Sequence, residues 1–214
     1  MRRFAAACGL LALTFLLLLT FARRVPDVRA GTAVRMDLPA LVRNADLIVE
    51  ARVLSAKALE SAGRIETEYL LFVERTFEGE DHSLRTLRMP GGVLPDGRGM
   101  ILAGMPRLAS GETALLFLSE RGETGIRVPV GLAQGKYEVT YTETGEKLLA
   151  RSIAGLSLVN GETGQEVPGT GREVRTYASV VAGIEAALSA KHAAEAHESR
   201  DAQVGNGRTS EGGR

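Results

Sequence analysis

The chain of 214 residues carries 26 basic and 26 acidic side chains, is 44% hydrophobic, and contains no tryptophan. The segment before Gly31 holds Arg2, Arg3, Arg23, Arg24 and Arg29 against Asp27 alone, so the remainder has 21 basic and 25 acidic residues, a net charge of −4. A mildly acidic remainder whose only lysines are Lys57, Lys136, Lys147 and Lys191 lacks the basic footprint that releases counterions from a phosphate backbone, which sets nucleic acid aside as a partner.

Met1-Arg2-Arg3 supplies a positive start, and Phe4 to Ala22 is an uncharged run of 19 residues rich in Leu, Ala and Phe. Read as a secretory signal, residues 1–30 end in Val28-Arg29-Ala30, which places cleavage before Gly31. Read as an uncleaved membrane anchor, the same run at 1.5 Å per residue comes close to the roughly 30 Å hydrocarbon thickness. Arg23 and Arg24 weaken both readings, because they interrupt a signal's polar end and add positive charge on the side to be translocated. Either reading predicts an extracytoplasmic domain, secreted or periplasmic, or anchored by residues 4–22, with membrane contact only through this segment if it is uncleaved. Cys8, the single cysteine, lies inside the run, so packing without disulfides must hold the exported part together.

Asp37-Leu38-Pro39 predicts a short helix, with Asp37 as N-cap and Leu38, Leu41, Val42 and Ala45 on one face. Leu47, Val49, Ala51 and Val53 then alternate with Ile48, Glu50, Arg52 and Leu54, the period of a half-buried strand. After the turn at Ser61-Ala62-Gly63, Arg64 to Phe77 reads as a long strand with Ile65, Thr67, Tyr69, Leu71 and Val73 inward, and with Leu70 and Phe72 burying the other face of its middle. Ser83 to Met89 is a third strand. Pro90-Gly91-Gly92 opens a glycine- and proline-rich loop reaching Glu112, a length that often carries function. Thr113 to Ser119, Ile126 to Val130, Lys136 to Thr142 and Lys147 to Ser152 are further strands, with Tyr69, Tyr137 and Tyr141 on inward faces. A final helix begins near Thr176, its stripe formed by Tyr177, Val180, Val181, Ile184 and Leu188. The expected fold is mostly β, an OB-like barrel or small sandwich of about six or seven strands with a short N-terminal and a C-terminal helix. One domain spans 31–190, and 191–214 is a polar tail expected to be disordered.

The residues offer no recognised catalytic, cofactor-binding or metal-binding motif. His82, His192 and His197 are the only histidines, and just the first lies within the predicted core, beside Asp81 in a polar turn, where it reads as solvated. The nucleophile elbow, the serine-lysine spacing and the phosphate-binding loop are absent. A carboxylate pair drawn from Glu74, Glu78, Glu80, Asp81 and Glu112 would suffice for a hydrolase, though Glu112 reads equally as a brace for the amides of the Pro106 to Ser110 loop.

Ala45-Asp46-Leu47-Ile48-Val49, Phe72-Val73-Glu74 with Phe77-Glu78-Gly79, Pro90-Gly91-Gly92, Gly104-Met105-Pro106, Gly111-Glu112 and Gln134-Gly135-Lys136-Tyr137 occur in an order that resembles uncharacterised exported bacterial β domains, found alone or beside matrixin-like metalloproteases. That domain is distantly similar to the OB-type barrel of netrin modules and tissue inhibitors of metalloproteases. The inhibitors' amino-terminal cysteine and disulfides are missing here, as is the protease's own paired-histidine signature. The resulting expectation is a non-enzymatic interaction or accessory domain, without a cofactor, that binds a protein or envelope partner through a loop comprising Pro90, Gly91, Gly92, Pro106, Arg107, Leu108 and Glu112. The alternatives are an envelope hydrolase using a carboxylate pair and an accessory or inhibitor-like module for a neighbouring metalloprotease.

Overall fold

Asp37 begins the first helix as its sequence position predicts: its Oδ1 accepts the Ala40 N–H at 2.8 Å, satisfying one of the orphan donors of helix α1 (Leu38–Asn44). The computed structural model describes residues 31–168 and 171–207, so both readings of the leader lie outside the described residues. Among the described residues no helix is long and apolar enough to cross a membrane.

The strands are β1 (Gly31–Val34), β2 (Leu47–Ser61), β3 (Arg64–Glu78), β4 (Leu84–Pro90), β5 (Gly92–Val93), β6 (Gly99–Met100), β7 (Thr113–Leu118), β8 (Lys136–Tyr141), β9 (Lys147–Ser152), β10 (Leu156–Val159), β11 (Glu166–Val167) and β12 (Arg172–Thr176), followed by helix α2 (Tyr177–Gly207). Seven of them form one antiparallel sheet in the order β12-β9-β8-β7-β2-β3-β4. β1 and β10 run parallel and, with β11, make a small second sheet; β5 and β6 form a hairpin. The fold is therefore mostly β with one short early helix and one C-terminal helix. The β2–β3 connection is a two-residue turn with Ala62 and Gly63 both at positive φ, the geometry that suits the twist of a hairpin.

The barrel alternative is not realised: among the described residues β4 and β12 are the edges of an open sheet and do not pair with each other. The sheet nevertheless curls strongly. The segment 127–130 bonds to the end of β7 on the side away from β2 (Ser119 N–H to Val128 O, 2.9 Å; Val130 N–H to Phe117 O, 2.8 Å) and also to β4 (Arg127 N–H to Arg88 O, 3.0 Å). In a flat sheet β7 and β4 would stand about 14 Å apart, three strand spacings, so one segment touching both requires the β7-β2-β3-β4 portion to bend round. Register shifts in β2 at Ile48/Val49, Glu50/Ala51 and Val53/Ser55 supply that bend. The stretch predicted as a strand at Ile126 to Val130 is thus a bridging segment with a single ladder pair, Leu118 with Pro129; proline has no N–H with which to continue it.

Two cores share β2. Inside the curl lie Leu47, Val49, Ala51 and Val53 with Tyr69, Leu71, Leu87, Met89 and Leu116. On the opposite face Ile48, Leu115, Phe117, Tyr137 and Leu149 pack against Leu41 and Val42 of α1 and Val180, Ile184 and Leu188 of α2. The helices approach closely at Gly183, where a Cβ would stand 2.7 Å from Leu38 Cδ2. Residues Leu47 to Ala51 are consequently buried on both sides, although alternation predicts one.

Two expectations reverse. Leu70 and Phe72 are each 38% exposed, because they lie outside the curl where no layer covers them; Arg52 stacks over the Phe72 ring at 5.8 Å. Tyr141 is 65% exposed, beyond the reach of the helices. Helix α2 also continues through the stretch beyond 190 as far as Gly207, where composition suggests disorder.

Glu50 occupies the helix-facing side of β2 and is 2% exposed. Its carboxylate pairs with the Lys147 ammonium and accepts the Tyr177 hydroxyl at 2.6 Å, tying β9 and the start of α2 to the central strand. Burial opposes the charge of Lys147, but the hydrogen bond and charge of Glu50 outweigh it and hold the ammonium above its ordinary value. Burial and then the Glu50 carboxylate raise Tyr177 as well, and burial raises Tyr137. Groups that bind protons more tightly in the folded state stabilise it fully below their unfolded values and lose that contribution as pH rises through the folded ones. Stability should therefore be level from neutrality and fall above about pH 10. Tyr177→Phe should cost about 1.5–2 kcal/mol at neutral pH in urea unfolding and reduce the alkaline slope. An unchanged urea midpoint would show that the hydroxyl contributes nothing to the tie.

Candidate functional site: the loop at one end of the curled sheet

β4 ends at Pro90, and the chain must then turn within van der Waals distance of β3. Gly91 (φ +95°) donates its N–H to Ile65 O at 2.8 Å, and its carbonyl accepts the Thr67 hydroxyl at 2.7 Å. Gly92 (φ +149°) has no room for a side chain, since a Cβ would lie 2.5 Å from Thr67 Oγ1. These glycines anchor the loop's root against β3. The β5–β6 hairpin follows, its tip fastened by Arg98, which pairs with Asp96 and with Glu60 of β2 at 2.9 Å each.

Past the hairpin the chain exposes Ile101 (76%) and Leu102 (36%) beside Val93 (51%), then returns across the open end of the curl. Met105 and Leu108 plug that end. Leu108 is 5% exposed and belongs to the inner core. Arg107 points outward, and its carbonyl accepts from Lys136 Nζ at 2.8 Å. Glu112 closes the loop: its carboxylate pairs with Lys136 and accepts the Ala109 N–H at 2.8 Å, while its backbone carbonyl accepts the Val53 N–H. The bracing role read from sequence is the one it performs.

Pro90, Gly91, Gly92, Pro106, Arg107 and Leu108 all line one open cleft of about 260 Å³, whose floor includes Tyr69, Met89 and Met100. Glu112 stands outside its wall. A second cleft of about 270 Å³ lies on the other side of Met105-Pro106-Arg107, with Lys136, Glu138 and Ser152 in its wall, so these three residues form a ridge between two depressions. Sequence reading passed over Val93, Met100, Ile101 and Leu102, although four apolar residues in a turn-rich segment were the available signal. It also passed over Arg85, at the inward register of β4 with Leu87 and Met89, where an arginine breaks an apolar phase.

Glu112 does not meet Glu78. Glu112 bonds at Val53 and Glu78 pairs at Ile48, five residues apart along β2 and so about 16 Å. Glu78 is held by Lys191 and His192, Asp81 accepts the Thr76 hydroxyl at 3.0 Å, and Glu80 faces an exposed His82 at 3.2 Å. Among the described residues no group of three His, Cys, Asp or Glu side chains is placed to hold a metal ion. No protein-family model matches this chain, and no curated protein matches it.

Proposed function

We propose that the protein is a non-enzymatic, extracytoplasmic binding domain that takes an apolar side chain of a protein partner into the cleft beneath the Val93–Leu102 shoulder. The supporting observation is the exposure of Val93, Ile101 and Leu102 together at the rim of a cleft floored by methionine and tyrosine. Apolar side chains left in water next to a concave, polarizable floor gain from being covered, at about 25 cal/mol for each Å² removed from water. A rim pinned by Arg98, Pro106 and the Glu112–Lys136 brace is already ordered and loses little entropy on binding. The resemblance to β domains found beside matrixin-like metalloproteases makes such a protease one partner class to test.

The full chain, immobilised, should capture the same identified extracytoplasmic protein from native fractions in repeated experiments. Ile101→Ser combined with Arg107→Ala should weaken that capture about tenfold or more while Tm shifts by no more than about 1 °C. Capture undiminished by both changes removes the cleft as the binding surface. Leu108→Ala serves as the contrast: as a core residue it should cost about 2–4 kcal/mol of stability.

A further inference from the structure

At the other end of the curl, some nine residues along β2 from the loop-covered cleft, lies a cavity of about 350 Å³ whose wall contains three arginines: Arg85, Arg121 and Arg127. Arg85 enters from β4 and is 8% exposed; one of its terminal nitrogens donates to the Glu80 carbonyl, and its Nε is buried with no hydrogen-bond partner. Arg127 comes from the bridging segment, with 14% of its side chain exposed. Its Nη1 donates to Asp46 Oδ2 and to Ser119 O, both at 2.6 Å, and its Nε too is buried and unpartnered. Arg121, on the turn after β7, is exposed and forms no ion pair among the described residues. The carboxylates facing the cavity are Asp46 and Glu80, so three cations meet two anions, and Glu80 is itself drawn toward His82.

We infer that this arginine cluster is a binding site for a phosphate group. Guanidiniums present planar forks of donors that match tetrahedral oxyanions, and three of them around one cavity that holds only two carboxylates leave a positive charge for an oxyanion to meet. Burial, and next the charge of Arg127, press Arg85 below its ordinary value; Glu80 and Asp46 offset part of this, while Arg121 adds to the repulsion. An anion between the three relieves that repulsion. Gly79 keeps the floor of the site open and close: at φ +90° it lies against the start of β2, where a Cβ would stand 2.9 Å from Asp46 O. The site is independent of the loop-covered cleft, sharing none of its lining residues.

A free phosphate or phosphomonoester and a phospholipid headgroup offer the same chemistry, and two soluble probes separate them: inorganic phosphate, and glycerophosphoglycerol as a deacylated diester headgroup. Calorimetric titration of the full chain should give saturable binding of at least one probe below about 10 mM at low ionic strength. Preference for inorganic phosphate assigns the site to doubly charged phosphate, and preference for the diester assigns it to a headgroup. Arg121→Gln, a change at an exposed side chain with no ion pair to lose, should leave the unliganded Tm unchanged and weaken binding about tenfold. Asp46→Asn, which keeps an acceptor for Arg127 but removes the competing charge, should tighten it. No saturable binding of either probe, or equal affinity in the wild type and Arg121→Gln, overturns the inference.

Discussion

Five residues of β2, Leu47 to Ala51, are covered on both faces, and the architecture follows from satisfying both at once. One side needs an apolar interior, which the sheet provides by curling β3 and β4 back toward β7. The other needs a helical layer, which α1 and α2 supply. A strand serving two cores cannot slip in register without moving an apolar set out of each, so its pairing is strongly specified. The single charge in this stretch, Glu50, is tolerated because Lys147 and Tyr177 meet it; a buried carboxylate without them would cost several kcal/mol. The pair contributes order more than energy, since it fixes where α2 starts relative to the sheet.

Curling without closure leaves two open ends, and the chain treats them differently. One is plugged by Met105 and Leu108 from the long loop, which leaves Val93, Ile101 and Leu102 stranded at the rim. The other receives arginines: Arg85 sits at the inward register, where an apolar side chain would have ended the core, and Arg127 reaches in from the segment that spans the gap. An arginine at the open end of a curled sheet can lay its stem on the core and its guanidinium in the opening, which makes that end polar.

The same segment that brings Arg127 to the cavity also joins β7 to β4 through backbone bonds. The position of Arg85 against Arg127 is therefore set by how far the sheet curls, while Arg121 comes from the turn after β7. The apolar end has a comparable dependence, because Glu112 ties the returning loop to Val53, just before the last register shift in β2. Both candidate surfaces are thus held by the strand that organises the two cores.

Periodicity and capping chemistry sufficed for what is local. The Asp37 cap, the Ala62-Gly63 turn, the inward set Tyr69, Leu71 and Val73, the strand at Lys147 to Ser152 and the stripe on α2 all follow from side chains acting on their own segments, and the predominantly β class with two helices follows from them. Glu112's bracing of the Ala109 amide was readable too, because an acidic residue three positions beyond a loop amide has few other uses. What is decided between segments was not readable. Whether Leu70 and Phe72 are covered depends on which face of a curled sheet receives the helices, and a period of two is silent on that. Short strands such as β1, β10 and β12 exist because partners distant in sequence present free edges to them. Most of all, Arg85 shows in the sequence only as a break in an apolar phase, and Arg121 and Arg127 flank a turn; the bend that carries β4 toward β7 is what brings Arg85 to the other two around one cavity, and charge convergence is a property of distance in space, which spacing in sequence does not encode.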